Sequence, residues 1–167
     1  EEKWVRVQPG VIRDDLNKIL KPYGLFFGPE TSTANRCMIG GMVGNNSCGT
    51  HSPLYGTTRD HTLEIEAILA DGSDVTFKAL TKEEFDAKCV GETMEGDLYR
   101  HMQLILGSKE NQAEIRKEFP KPEINRRNTG YAIDVLLESD PFTKGKEKFN
   151  FSKLLAGSEG TLAFSKE

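Results

Sequence analysis

The 167-residue chain lacks most features that announce a function on their own. Its longest unbroken apolar run is four residues, Ala67 to Ala70, far short of the ~20 that span a bilayer as a helix. No positively charged stretch followed by an apolar one marks an export signal. Cysteines number three (Cys37, Cys48, Cys89) and none form a C-x-x-C pair. That odd count speaks against a disulfide scaffold and for reduced thiols in the cytoplasm. With 22 basic against 26 acidic residues, the chain also lacks the cationic excess of a nucleic-acid surface. What it has instead is glycine: sixteen in all, five of them between Gly40 and Gly56.

Around that stretch the hydrophobic periods predict ordinary elements. Val5 and Val7 alternate with polar neighbours and predict a short strand ending at Pro9-Gly10. Ile12, Leu16, Ile19 and Leu20 predict one face of a helix that stops at Lys21-Pro22. Leu63, Ile65, Ala67 and Leu69 predict one apolar strand face. Asp71-Gly72 then predicts a tight hairpin, with positive φ at both positions, into a second strand carrying Val75 and Phe77. Residues 82–88 have the makings of one or two helical turns, and Leu98, Met102 and Ile105 predict a firmer helix over about 95–106, with a bend at Gly107. Hairpin and helices together predict an α+β domain, an antiparallel sheet flanked by helices. The strand-like runs Trp4 to Val7 and Thr161 to Phe164 lie at the two ends, so the expectation is one subdomain over residues 1–167 of a larger polypeptide.

Residues 31–60 carry no sustained period except a short helical one near Met38 to Val43. Long loops in compact domains tend to be functional. Gly40, Gly41, Gly44, Gly49 and Gly56 have no Cβ and would let backbone N–H groups approach a planar or anionic ligand. Thr31, Ser32, Asn45, Asn46, Ser47, Thr57 and Thr58 supply short neutral donors and acceptors, which suits a flavin or nucleotide better than a metal. By composition alone, a plain surface loop answers equally well.

The order of the motifs adds what composition does not. VRVQPGV (5–11), GPETS (28–32), IGGMVGNNSCG (39–49), YGTTRDH (55–61), LEIEAILADGS (63–73), NTGYAIDVLL (128–137) and LLAGSEGTLAF (154–164) follow one another across nearly the whole chain. This series resembles the second half of the PCMH-type FAD-binding domain of the vanillyl-alcohol-oxidase, or FAD-linked oxidase, family. The similarity is greatest to bacterial FAD- and iron–sulfur-containing dehydrogenases of D-2-hydroxy acids such as D-lactate and D-2-hydroxyglutarate. The resemblance implies FAD as cofactor, held by Pro29, Thr31 and Ser32 along the flavin and ribityl-phosphate side. It assigns the pyrophosphate and ring edge to Gly40, Gly41, Asn45, Ser47 and Gly49, and the other side to Gly56 and Thr58. Glu159, Gly160 and Thr161 would return the last strand to the cofactor. Hydride transfer from the substrate α-carbon to flavin N5 is the implied reaction. The family's earlier glycine-rich subdomain, its substrate cap, the catalytic base and any iron–sulfur clusters have no counterpart in these residues. The fragment alone is therefore expected to be inactive, and its partners to be FAD, a small 2-hydroxy acid and the remainder of the polypeptide. A cytoplasmic location, or one peripheral to the membrane through that remainder, follows from the same resemblance.

Rival chemistries are weaker. Arg126 and Arg127 could clamp a substrate carboxylate bidentately, and Tyr131 could pack near the flavin, although paired loop arginines are often solvated and an aromatic is often core. Cys48 as a nucleophile would need a base in reach, such as His51, His61 or His101, and an ordinary packed thiol is the simpler account. Gly157-Ser158-Glu159-Gly160 departs from the Gly-x-Ser-x-Gly elbow, and the histidines lack helical zinc spacing, so no metal site is expected. The open alternatives are a flavoenzyme of the same fold with another substrate and a domain that has lost its cofactor.

Overall fold

A computed structural model describes residues 3–121, 123, 124, 127, 130–144 and 146–167. Residues 3–8 form an extended segment without a ladder, where the alternation of Val5 and Val7 predicts a strand. Arg6 instead ties the segment down by its side chain, to Glu66 at 2.8 Å, Glu167 at 3.2 Å and Glu64 at 3.5 Å. Helix α1 (Arg13–Leu20) follows and leads into a 3-10 turn at Lys21–Tyr23, closed by Gly24 at φ +68°. Leu16 of α1 packs with Ile39 and Met42 in a small cluster bordered by Val7, Val11, Leu20, Phe27, Cys37 and Val43. Ile19 points to solvent, although its spacing places it with Leu16.

The glycine-rich stretch is better ordered than its composition predicts. It contains α2 (Ile39–Gly44), α3 (Ser52–Tyr55) and α4 (Thr58–His61). The last opens with a reciprocal capping box between Thr57 and Asp60, a local signal that an apolar-period search does not detect.

Strands β1 (Ile65–Ile68) and β2 (Asp74–Phe77) pair antiparallel, Ile65 opposite Phe77 and Ile68 opposite Asp74. The connection is wider than a two-residue turn. Gly72 alone takes a positive φ (+86°), and the Asp71 carboxylate closes the loop by accepting from the Ser73 N–H at 3.0 Å and its hydroxyl at 2.6 Å. Leu63, expected on the buried face, is exposed just before the strand begins. Helices α5 (Lys82–Val90), α6 (Met94–Gly107) and α7 (Lys109–Glu118) come next. Thr81, Thr93 and Ser108 each cap a helix start with a side-chain oxygen. Gly107 ends α6, and Ser108 begins a new helix, so the expected bend is a helix break.

After α8 (Ile133–Leu137), the short strands β3 (Ser139–Asp140) and β4 (Glu147–Lys148) pair in parallel. Helix α9 (Ser152–Leu155) then leads to β5 (Phe164–Ser165), which joins the far side of β1 to give the order β2-β1-β5. The strand-like run from Thr161 thus pairs only from Phe164; Thr161 belongs to a turn whose N–H bonds Ser158 O at 3.0 Å.

The sheet's buried face and helices α5 to α9 enclose the main core, where Phe77, Phe85, Tyr99, Phe142, Phe149 and Phe151 meet edge-on or tilted. Their ring centroids lie 4.8 to 6.0 Å apart, a geometry aromatic quadrupoles favour. Burial pushes the Tyr99 hydroxyl well above its ordinary pKa. Among the described residues no helix is long and apolar enough to cross a membrane. The fold is the α+β arrangement of a small antiparallel sheet with helices around it.

Candidate functional site

Three backbone segments meet at the glycine-rich face. Helix α2 runs into a turn at Asn45–Ser47, where Asn46 takes φ +48°, a value asparagine tolerates better than most residues. The turn at 157–161 lies against it: Gly157 N–H donates to Val43 O and Glu159 N–H to Gly44 O, both at 2.9 Å. Segment 130–131 approaches the same turn, with Tyr131 Oη 2.6 Å from Thr161 Oγ1. Thr161 Oγ1 is also 2.6 Å from Ser158 O, a carbonyl that can only accept, so Thr161 donates there and Tyr131 donates to Thr161.

The predicted residues divide into two groups by what surrounds them. Pro29, Gly40, Ser47, Gly49, Gly56 and Thr58 have work inside the protein. Pro29 is buried. A Cβ on Gly40 would stand 2.5 Å from Pro9 Cβ, and one on Gly49 would stand 1.9 Å from Glu30 O. Gly56 has φ +73° and would meet the Asp60 carboxylate at 2.7 Å. Ser47 Oγ accepts from Asn45 Nδ2 at 2.9 Å, and Ser47 O accepts both the N–H and the hydroxyl of Thr58. Thr31 Oγ1 lies 3.1 Å from Thr33 Oγ1 and 3.5 Å from Cys37 Sγ.

Ser32, Gly41, Asn45, Glu159, Gly160 and Thr161 are exposed. Gly41 is the informative one. It lies inside α2, where glycine costs about 1 kcal/mol relative to alanine, yet nothing comes within 4 Å of where its Cβ would be. Gly160 also faces open space, and its φ of +73° accounts for it without a ligand. Arg126 lies outside the described residues. Arg127 pairs with the Asp134 carboxylate, while its Nε is buried with no hydrogen-bond partner among the described residues.

The histidines are engaged elsewhere. His51 Nδ1 meets Glu30 Oε2 at 2.5 Å, joining segment 28–32 to the loop after Gly49. His61 Nε2 lies 2.6 Å from Tyr55 O, and His101 Nδ1 lies 2.8 Å from Asp97 O. Among the described residues no three His, Cys, Asp or Glu side chains gather as metal ligands. A separate cavity of about 630 Å³ lies between residues 3–9, α1 and β1. It is lined chiefly by apolar side chains such as Val7, Leu16 and Phe27, and takes only Gly40 and Thr58 from the predicted set.

The family comparison assigns the ligand class. Residues 1–78 match the family model described as an FAD binding domain. That match takes in the first 78 of the 167 residues. The match supports FAD as the cofactor. The relatives include D-2-hydroxyglutarate dehydrogenase of Haemophilus influenzae, 39% identical over 168 residues, covering 98% of this chain and 15% of the relative. The protein of that name from Escherichia coli K12 is 38% identical over 167 residues, covering 100% of this chain and 16% of the relative. Glycolate oxidase subunit GlcD of Bacillus subtilis is 41% identical over 72 residues, 43% of this chain and 15% of the relative. The chain thus spans roughly one sixth to one seventh of the length of the curated relatives it matches.

Sequence reasoning missed the polar frame behind this face. Arg59 is buried, and among the described residues its guanidinium donates to backbone carbonyls: Lys153 O at 2.9 Å, Ala156 O at 2.6 and 3.1 Å, and Gly130 O at 3.1 Å. Lys153 Nζ returns the contact, donating to Arg59 O at 2.8 Å, Thr62 O at 2.9 Å and Asp60 O at 3.4 Å. Each cation therefore satisfies the carbonyls at the end of the other's helix, α4 and α9. Burial lowers the pKa of both; the Arg127 charge adds a smaller lowering at Arg59, and the Arg59 charge a smaller one at Lys153. The signal was available in YGTTRDH, but nothing in spacing distinguishes a buried arginine from a solvated one.

Proposed function

We propose that this chain forms one side of an FAD site in a larger flavin-dependent dehydrogenase acting on a D-2-hydroxy acid. The observation that carries the cofactor reading is Gly41, a helical glycine with no contact inside the protein to explain it. An exposed position without a Cβ, one helical turn before Asn45, suits close approach by a flat, hydrogen-bonding group. The neutral donor set fits the same group, since amides and hydroxyls satisfy alternating N–H and C=O positions without added charge. FAD, when bound, supplies the acceptor for the hydride leaving the substrate α-carbon.

In this reading Ser32, Gly41, Asn45, Glu159, Gly160 and Thr161 face the cofactor. Pro29, Thr31, Gly40, Ser47, Gly49, Gly56 and Thr58 hold them in place. Arg126, Arg127 and Tyr131 receive the substrate carboxylate, and the base that takes the substrate's hydroxyl proton lies outside residues 1–167. The residues act as one subdomain, with the remainder of the polypeptide as partner and a cytoplasmic or membrane-peripheral location. Similarity over 98–100% of the chain to D-2-hydroxyglutarate dehydrogenases, against 43% for the glycolate oxidase subunit, favours a dicarboxylic hydroxy acid.

The test uses the full-length protein. It should carry flavin absorbance that bleaches on adding D-2-hydroxyglutarate. Bleaching only by another hydroxy acid would keep the cofactor and change the substrate. A colourless protein that takes up no added FAD would contradict the proposal. The isolated chain should bind FAD weakly or not at all, because affinity draws on both subdomains.

A further inference from the structure

Arg59 is a buried cation that the cofactor reading leaves unused. Among the described residues no carboxylate lies within ion-pair distance of its guanidinium, and backbone carbonyls take its donors instead. The bonds to Lys153 O and Ala156 O belong to the reciprocal capping of α4 and α9. The bond to Gly130 O at 3.1 Å does not, because Gly130 lies in neither helix.

Asn46 makes a matching contact at the other end of the same segment. Its Oδ1 accepts the Arg59 N–H at 2.8 Å, and its Nδ2 donates to Arg127 O at 3.4 Å. The Arg59 guanidinium and the Asn46 amide, the latter anchored on the Arg59 backbone N–H, thus hold the carbonyls of Gly130 and Arg127. Gly157 makes room for this arrangement: a Cβ there would stand 2.6 Å from Arg59 Nη2 and 3.1 Å from Gly130 O. Immediately after the clamped carbonyl comes Tyr131, whose hydroxyl is fixed on Thr161. The segment that carries Arg127 and Tyr131 is therefore fastened to the turn at 45–47 and the turn at 157–161, the two turns of the glycine-rich face.

We propose that Arg59 and Asn46 are positioning residues that fasten Arg127 and Gly130 to the cofactor face and so set where Arg127 and Tyr131 meet a 2-hydroxy acid. This rests on the reading under Proposed function for its ligand, and on the hydrogen-bond geometry alone for the clamp.

The test compares Arg59→Lys and Asn46→Asp with wild type in the full-length protein. Lysine keeps the charge and loses the planar Nε and Nη2 pair that reaches Lys153 O, Ala156 O and Gly130 O together. Aspartate keeps the acceptor for Arg59 N–H and loses the donor to Arg127 O. With D-2-hydroxyglutarate and D-lactate as probes, KM should rise about tenfold while kcat per bound FAD stays within about twofold and FAD content is unchanged. Independently of turnover, trypsin should cut after Arg127 about fivefold faster in both variants, because the segment opens locally. Wild-type KM and wild-type cleavage in both variants would overturn the proposal, as would loss of FAD with an unchanged KM in the loaded fraction. If wild type takes up no FAD or reacts with neither acid, the reading under Proposed function fails. Tryptic rates then decide the clamp alone, faster cutting upholding it and equal cutting overturning it.

Discussion

The aromatic core and the glycine-rich face are held together in opposite ways. Around Phe85, Tyr99, Phe149 and Phe151 the contacts are numerous, apolar and interchangeable in kind, and each buried ring contributes on the order of 2–3 kcal/mol by leaving water. At the glycine-rich face the apolar cluster reduces to Leu16, Ile39 and Met42, and the rest is fixed by hydrogen bonds that each have one specific acceptor. The lesson is that a change in the core shifts stability and leaves the site alone, whereas changes at the face can do either, depending on which side of the backbone they touch.

Several substitutions would break that contrast if it is false. Phe149→Ala should have the largest effect, a loss of about 3–5 kcal/mol in urea denaturation, since the ring is fully buried among four other aromatic rings. Gly49→Ala should follow at about 1–3 kcal/mol, because the added Cβ meets the Glu30 carbonyl and the backbone must shift. Lys153→Met should cost about 1–2 kcal/mol by leaving the carbonyls at the end of α4 without their donor.

That difference should also depend on pH. Burial lowers the Lys153 pKa, so the folded protein bears the cost of its charge at neutral pH and is relieved as pH rises through the lowered value towards the unfolded ~10.4. Wild type should therefore gain stability relative to Lys153→Met over that window, and a gap that narrows there would contradict the buried-cation account. Cys48→Ala should have the smallest effect, within about 1 kcal/mol and without loss of turnover in the full-length enzyme, since the thiol is only partly buried. A variant that keeps its flavin and loses turnover would restore Cys48 as a nucleophile.

How much of this was legible in the sequence follows the same division. The alternation at Ile65, Ala67, Val75 and Phe77 and the helical period of residues 94–107 were readable because burial imposes a repeat on them. Helices α3 and α4 were not, since one turn of helix is too short to carry a period, and the Thr57–Asp60 box that starts α4 is a local hydrogen-bond signal. Val5 and Val7 alternate as a strand does, but Arg6 anchors the segment through carboxylates, and no backbone ladder forms. At the candidate site, the motif series singled out a stretch of chain and could not say which glycines serve the protein and which face outward. Gly40, Gly41 and Gly49 look alike in the sequence; only the atoms beyond their α-carbons separate them. Arg59 and Lys153 stayed hidden for a related reason, because their acceptors are carbonyls of residues far along the chain.

Gly41→Val in the full-length protein therefore tests the account most directly, by FAD content set beside thermal stability. A side chain on that open position should leave the melting temperature within a few degrees of wild type, an effect of about 1 kcal/mol or less, while bound flavin is lost. A folded Gly41→Val protein that keeps its full complement of FAD would contradict the claim that this face is where the cofactor lies.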